Sequence, residues 1–495
     1  MNWKKLGILL AILAVVGGFW TWDSRRLKKV NKAHEQAREV FTKLTTDDVQ
    51  KVQVERLGEP TVVAVRSGDK SGESTWKITE PVQSGADGSV LESMVATLLG
   101  AKKETVGDSK DVRVIDATPG EVSEYGLDPI ETTVTLASAT KSAALQLGLL
   151  TATEKDAYAR LPGKTEIFLV PKSVYTAVDK KLFDLRDKTL VKLTNYKVDR
   201  IRIVDPTREV AVKKVTQDLW RITSTPVTYR ADRSQITDFI NDLNQAKAVK
   251  FIDKPEKDLA AYGLTDGATV VEVWEGDAKR TLRFGRFEDT AKTHLFAKVE
   301  GHPEVLVVGA SVLAKAPIDV EALRSLDLFA TRNWDADKVV IDAASPAGTY
   351  TLTKSASGDW FLNVELAHET SGESRKLDFT AFTKFYDVLG RMKAAGFVDD
   401  SSEAESLLAH PDWKITVNSQ RNGLTEELTI SRLEPSTQTR FLRRNDSKGL
   451  MMMYEEDLDE FRKGFRDLLA ARPSPPPMTE SEALAATGEV EGATP

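Results

Sequence analysis

The sequence predicts an α+β fold: three tandem repeats of a mostly antiparallel sheet with one or two packed helices, preceded by an N-terminal transmembrane helix. Three observations predict it. An aromatic-led strand recurs as Trp76-Lys77-Ile78-Thr79-Glu80-Pro81, as Trp220-Arg221-Ile222-Thr223-Ser224-Thr225-Pro226 and, more loosely, as Trp360-Phe361-Leu362-Asn363-Val364. An apolar stripe follows each time, at Leu91/Met94/Val95/Leu98, Ile236/Phe239/Ile240/Leu243 and Phe382/Phe385/Tyr386/Leu389, and its spacing of three and four residues marks one buried helix face. Ile236 follows Leu91 by 145 residues and Phe382 follows Ile236 by 146, so the stripes keep one register.

The elements follow in order. Residues 6–22 carry no charge and span about 25 Å as a helix, close to the lower limit for a bilayer core, with Trp3, Trp20 and Trp22 placed as interfacial aromatics. Phe19-Trp20-Thr21-Trp22-Asp23 offers no small-x-small cleavage site, so residues 1–23 read as an uncleaved anchor. Residues 24–44 form a polar stalk helix with a short seam of Leu27, Val30, His34, Ala37, Phe41 and Leu44. That seam either joins two chains as a homodimer or packs on the first domain.

Each repeat opens on an alternating strand: Val49-x-Lys51-Val52-x-Val54, Val198-x-Arg200-Ile201-x-Ile203 and Ala336-x-Lys338-Val339-x-Ile341. The repeated Trp then faces the striped helix, whose start is marked by Asp87, Asp232 or Asp378, each an N-cap by residue type and position. Trp76, Trp220 and Trp360 accordingly read as core anchors, with a carbohydrate-stacking role as the alternative. Tyr125-Gly126-Leu127 matches Tyr262-Gly263-Leu264, a turn whose Gly takes a conformation that a Cβ opposes, while the third copy has lost it. Further strands follow, in the first copy at residues 132–136, 144–147 and 167–170. Each unit closes on Leu185-Arg186-Asp187, Leu323-Arg324-Ser325 or Phe465-Arg466-Asp467. Arg186, Arg324 and Arg466 are the candidate contacts between successive domains.

With 495 residues the chain has room for about three domains, at 45–190, 193–328 and 334–470, each large enough to bury its own core. Clustered strands separated by single helices, without βαβ alternation, favour antiparallel pairing. Residues 472–495 carry four of their five prolines within 473–477 and no apolar period, so they read as a disordered tail.

Composition narrows the function. A net charge of −7, with 75 acidic against 68 basic residues, leaves no basic footprint for nucleic acid. The absence of Cys excludes disulfides and thiolate chemistry. The five His lack metal-ligand spacing; Pro162-Gly163-Lys164-Thr165 lacks the first Gly of a phosphate loop, holding Tyr158 there, and reads as a hairpin turn. Ser67-Gly68-Asp69-Lys70 and Ser138-Ala139-Thr140-Lys141 fit S-x-x-K in polar turns without companion motifs. No catalytic, cofactor or metal residues are therefore expected, and the chain reads as a non-enzyme.

The anchor, the Trp-x-Ile-x-x-Pro strands leading to Ala-Asp helix starts (Trp76 to Asp87, Trp220 to Asp232), the Tyr-Gly-Leu turns and Leu185-Arg186-Asp187 together resemble the bacterial family known as domain of unknown function 4340. The resemblance covers nearly all of residues 44–470. It implies a cell-envelope protein, often encoded beside ABC transporter components similar to those of gliding-motility systems, and carries no catalytic residues over. The function expected is a membrane-anchored extracytoplasmic scaffold or accessory subunit of an ABC-type envelope complex. A binding module for a glycan, lipid or peptide is the alternative. The location expected is the bacterial inner membrane, single-pass, with the bulk periplasmic. Arg25, Arg26, Lys28 and Lys29 argue against export by the positive-inside rule, whereas the five-residue head before one apolar span argues for it.

Overall fold

The computed structural model describes residues 20–471 apart from 24, 27, 43, 69–73, 107–110, 116–120, 367–372 and 447–448. The anchor expected at 1–23, except for its last four residues, and the tail expected at 472–495 lie outside this range. Among the described residues no helix is long and apolar enough to cross a membrane.

Among the described residues three nine-stranded sheets, all antiparallel, carry the fold. In the first, β1 (Lys51–Arg56), β2 (Val62–Gly68), β3 (Ser74–Glu80) and β4 (Ser84–Gly85) form one meander. A helix, α1 (Gly88–Leu99), and β5 (Val114–Ile115) follow. β6 (Thr132–Ala137), β7 (Ser142–Leu150), β8 (Asp156–Arg160) and β9 (Ile167–Pro171) form a second meander. The order across the sheet is β4-β3-β2-β1-β6-β7-β8-β9-β5. The two meanders meet where β1 pairs β6, Lys51 opposite Ala137 through Arg56 opposite Thr132.

The same order recurs in the second and third sheets, so the three copies share one topology. Val198–Val204 lies between Glu209–Lys214 and Thr269–Glu275, and Lys338–Ala344 between Ala347–Lys354 and Trp413–Ser419. The chain divides into two compact units, one ending at Lys188 and the other beginning at Thr189, so the second and third copies belong to one unit.

The order explains why each helix has one apolar stripe. α1 leaves the edge at β4 and the chain next joins the sheet at the opposite edge, β5, so the helix must cross a sheet face. Twelve residues span about 18 Å, roughly four strand spacings. The stripe expected from sequence is buried in every copy: Leu91, Met94, Val95 and Leu98 in α1; Ile236, Phe239, Ile240 and Leu243 in α2 (Arg233–Gln245); Phe382, Phe385, Tyr386 and Leu389 in α3 (Phe379–Arg391). Each helix starts at its Asp. Asp87 accepts from the backbone N–H of Ser89 and Val90, Asp232 from Ser234 and Gln235, and Asp378 from Thr380 and Ala381. Caps of this kind contribute about 1 kcal/mol each. Under the helices, the opening strands turn Val52 and Val54, Ile201 and Ile203, and Val339 and Ile341 into the cores.

The last long strand of each sheet is buried on both faces. In Ile167–Pro171, Phe168 and Val170 join the core under α1, and Ile167 and Leu169 point the other way and are also covered. In the second copy that other face holds a small cluster of Leu264, Phe296, Val305 and Val307, capped by Tyr262. In the third copy the helix Ser402–Leu408 takes the place of the Tyr-Gly-Leu turn, and Ala404 and Leu408 cover Leu450. The lost motif is thus replaced by a helix that performs the same burial.

The stalk seam divides between its two readings. Phe41 and Leu44 are buried in the first core, beside Val40, and Arg38 donates to the Lys103 carbonyl at 3.2 Å. Nearer the N-terminus, Val30 and Ala37 are exposed and His34 is partly so. Only that earlier part could face a second chain.

Candidate functional site

The residues with chemical potential fall into three groups. Among the described residues no group of three His, Asp or Glu could hold a metal ion. Two carboxyls are pressed down to about 2: Asp289, by hydrogen bonds from Thr293 and His294, and Glu434, by hydrogen bonds from Thr437 and Ser436. Both close hairpin loops, and a carboxylate stabilised this far is a weak general base. Ser138 Oγ accepts from the Lys141 backbone N–H at 3.0 Å within a hairpin turn. Pro162-Gly163-Lys164-Thr165 is the turn between β8 and β9. The Ser67-Gly68-Asp69-Lys70 motif runs outside the described residues. A groove of about 700 Å³ between α3 and the last helix, α4 (Asp459–Ala470), is open, with Lys384 and Lys463 alternating with Asp387 and Glu460 along it.

The second group is the repeated aromatics and turns. Trp76, Trp220 and Trp360 are all buried. Trp76 Nε1 donates to Glu92 Oε1 at 2.7 Å, tying β3 to α1, while Arg66 lies over the ring and pairs with the same Glu92. Trp220 and Phe239 lie in one core. Trp360 stacks on Phe382 with centroids 3.8 Å apart and planes 16° apart. Tyr125-Gly126 and Tyr262-Gly263 each end a single 3-10 turn with the Gly at φ +67°.

Sequence reasoning missed the partners of these turns, Gly148 and Gly285. A Cβ on Gly148 would lie 1.9 Å from the Tyr125 carbonyl oxygen, and one on Gly285 would lie 2.2 Å from that of Tyr262. Both sit at register shifts in their strands, between Leu147 and Leu150 and between Phe284 and Phe287. Gly263 follows Gly126 by 137 residues and Gly285 follows Gly148 by 137, so the shared offset was the available signal.

The exit arginines differ from one another. Arg186 is buried and its backbone bridges Ala86, while Asp187 N–H donates to the Gly85 carbonyl, so the exit segment extends the edge at β4 within its own copy. Arg324 bridges Ala231 in the same way. Its guanidinium also lies 4.3 Å from the ring centroid of Tyr229 in the second copy and 3.7 Å from that of Phe397 in the third. It therefore joins the two copies by cation–π contact. Arg466 stands exposed on α4, away from any bridge of this kind.

The third group, a buried ionic layer, lies beside Arg324 where the second and third copies meet. Arg230 is 2% exposed. Its Nη2 donates to Glu426 at 2.7 Å and to Asp446 at 2.7 Å. Glu426, 1% exposed, also accepts from the Ala330 and Thr331 backbone N–H groups at 2.8 and 2.7 Å, which fixes the linker between the copies. Arg221 donates to the Asp446 carbonyl at 3.0 Å. Arg444 donates to the Asp327 carbonyl at 2.6 Å and lies 3.7 Å from Asp446. Burial alone would raise the Asp446 carboxyl, but Arg230 and Arg444 outweigh it and hold the group below the ordinary carboxylate range. Burial, with Arg230 as a like neighbour, lowers Arg444 to about 10, still charged at neutral pH. Burial, followed by the charge of Glu426, drives the Tyr386 hydroxyl upward, so it stays a donor, to the Thr331 carbonyl at 3.0 Å. The layer ties the two sheets to each other.

The model of the family described as Domain of unknown function (DUF4340) matches residues 76–226 and 220–411, more than half of the chain, and the chain belongs to that family. The two matched stretches start at Trp76 and Trp220, inside the third strand of one sheet and of the next, so the family unit runs across sheet boundaries. No curated protein matches the chain.

Proposed function

We propose that this member of the family is a non-catalytic, membrane-anchored scaffold or accessory subunit of an ABC-type cell-envelope complex, with its three sheets on the extracytoplasmic side. The observation that carries the reading is a repeated exposed aromatic. Tyr196 is 66% exposed and Trp334 is 65% exposed, each in the turn that opens a copy. Each is held from behind by a lysine of its own copy: Lys214 Nζ donates to the Tyr196 carbonyl at 3.0 Å, and Lys354 Nζ to the Trp334 carbonyl at 3.4 Å. Large aromatics presented on supported turns are the residue types that dominate protein–protein contact energies. The ionic layer between the copies supports the same reading, since it would hold the two aromatics in a fixed relation.

A photo-crosslinking amino acid placed at 196 and, separately, at 334 in cells tests this. Both positions are expected to capture a membrane-embedded ABC transporter component, and the Tyr196→Ala/Trp334→Ala chain is expected to recover at least about tenfold less of it, since two hot-spot contacts are lost together. Equal capture from Phe379, 68% exposed on α3 but not repeated, would remove the basis of the reading.

A further inference from the structure

We propose that the cleft between the second and third copies binds a phosphate group, an inference that stands on local geometry and does not rest on the scaffold reading. A pocket of about 420 Å³ opens there, lined by Arg230, Arg233, Arg332, Arg391 and Lys393 against two carboxylates, Asp218 and Asp327. The acids are already engaged. Asp218 is shared by Arg233 Nη1 at 2.6 Å and Arg332 Nε at 3.4 Å, and Asp327 pairs with Lys393 at 3.1 Å. Asp232 beside them is committed to the start of α2.

Arg230, which lines the cleft, has one donor left over. Its side chain is 3% exposed, and its Nε and Nη2 are directed to Asp446 and Glu426. Its Nη1 is buried with no hydrogen-bond partner among the described residues. An unsatisfied buried donor on a charged group is costly, and an oxyanion in the pocket would satisfy it. Arg391, in the last turn of α3, makes no side-chain ion pair among the described residues and adds a second open fork.

Four guanidinium groups and one ammonium around a small cleft suit a tetrahedral dianion. Guanidinium forks donate two parallel hydrogen bonds to phosphate oxygens, and a single carboxylate would leave most of these donors unused. Free phosphate and a phosphorylated headgroup present the same group to the site.

Calorimetric titration of the full chain at low ionic strength tests this, with inorganic phosphate in one arm and glycerol 3-phosphate in the other. Saturable one-to-one binding is expected at about 1 mM or tighter. Tighter binding of glycerol 3-phosphate would identify a headgroup, and tighter binding of inorganic phosphate the free ion. The Arg332→Gln/Arg391→Gln chain is expected to bind at least about tenfold more weakly at an unchanged melting temperature. Arg391→Gln alone removes no ion pair among the described residues and keeps the test valid should the double variant fold poorly. Lys414→Gln, on another strand, should bind as the parent does. Affinity unchanged in both Arg391 variants, or no saturation of the parent by either probe, would overturn the proposal.

Discussion

Replacing Arg230 with Ala is expected to destabilise the unit that begins at Thr189 by about 3 to 5 kcal/mol, because it leaves Glu426 and Asp446 buried without their shared partner. The loss should appear as a lower denaturation midpoint for the second and third copies. Substituting apolar residues of similar size at Arg230, Glu426, Arg444 and Asp446 together should recover part of it, since the desolvated charges then disappear as a set while the Ala330 and Thr331 N–H groups lose their acceptor. An unchanged midpoint for Arg230→Ala would show that the layer is hydrated and does not hold the copies together. The layer also predicts an acid limit. The Asp446 carboxyl is held below its ordinary value, so its contribution is present above the ordinary carboxylate range and is lost as pH falls through the lower folded value. The junction should therefore weaken below about pH 4.

Trp360→Ala is expected to cost a similar amount, about 3 to 5 kcal/mol, from a different source. The ring is 2% exposed and stacked on Phe382, so its removal leaves a cavity between the third sheet and α3 and also removes an aromatic pair. Trp334→Ala is the internal comparison. That ring is 65% exposed, and its loss should change stability by no more than about 0.5 kcal/mol. Equal effects of the two substitutions, read by calorimetry, would contradict the assignment of one Trp to the core and the other to the surface.

What the sequence shows and what it hides follow from the range of each interaction. The stripes and their Asp caps are legible because a helix repeats every 3.6 residues and a cap acts within three, so the whole signal lies inside about a dozen residues. The sheet order is only half legible. Alternation identifies the opening strands, but nothing local says that the chain crosses from β4 to the far edge, which depends on where the helix packs. The ionic layer is hidden altogether, since Arg230 meets Glu426 across 196 residues and each of them looks like one more surface charge on a strand. Gly148 and Gly285 lie between these cases, because their role appears only once the Tyr-Gly-Leu turns are seen above them. Phe465-Arg466-Asp467 shows the limit of matching by tripeptide. It imitates Leu185-Arg186-Asp187, yet it lies within α4, where the helix turns Phe465 inward and leaves Arg466 outside.

The location of the three sheets decides the proposed function more directly than any substitution. The charges flanking residues 6–22 favour retention of the body on the cytoplasmic side, against the export that the proposed scaffold requires. Alkaline phosphatase fused after Pro473 folds to an active enzyme only outside the cytoplasm, so the fusion should be active in intact cells. An inactive phosphatase, together with a fluorescent cytoplasmic reporter at the same site, would place the sheets inside the cell and contradict the envelope scaffold.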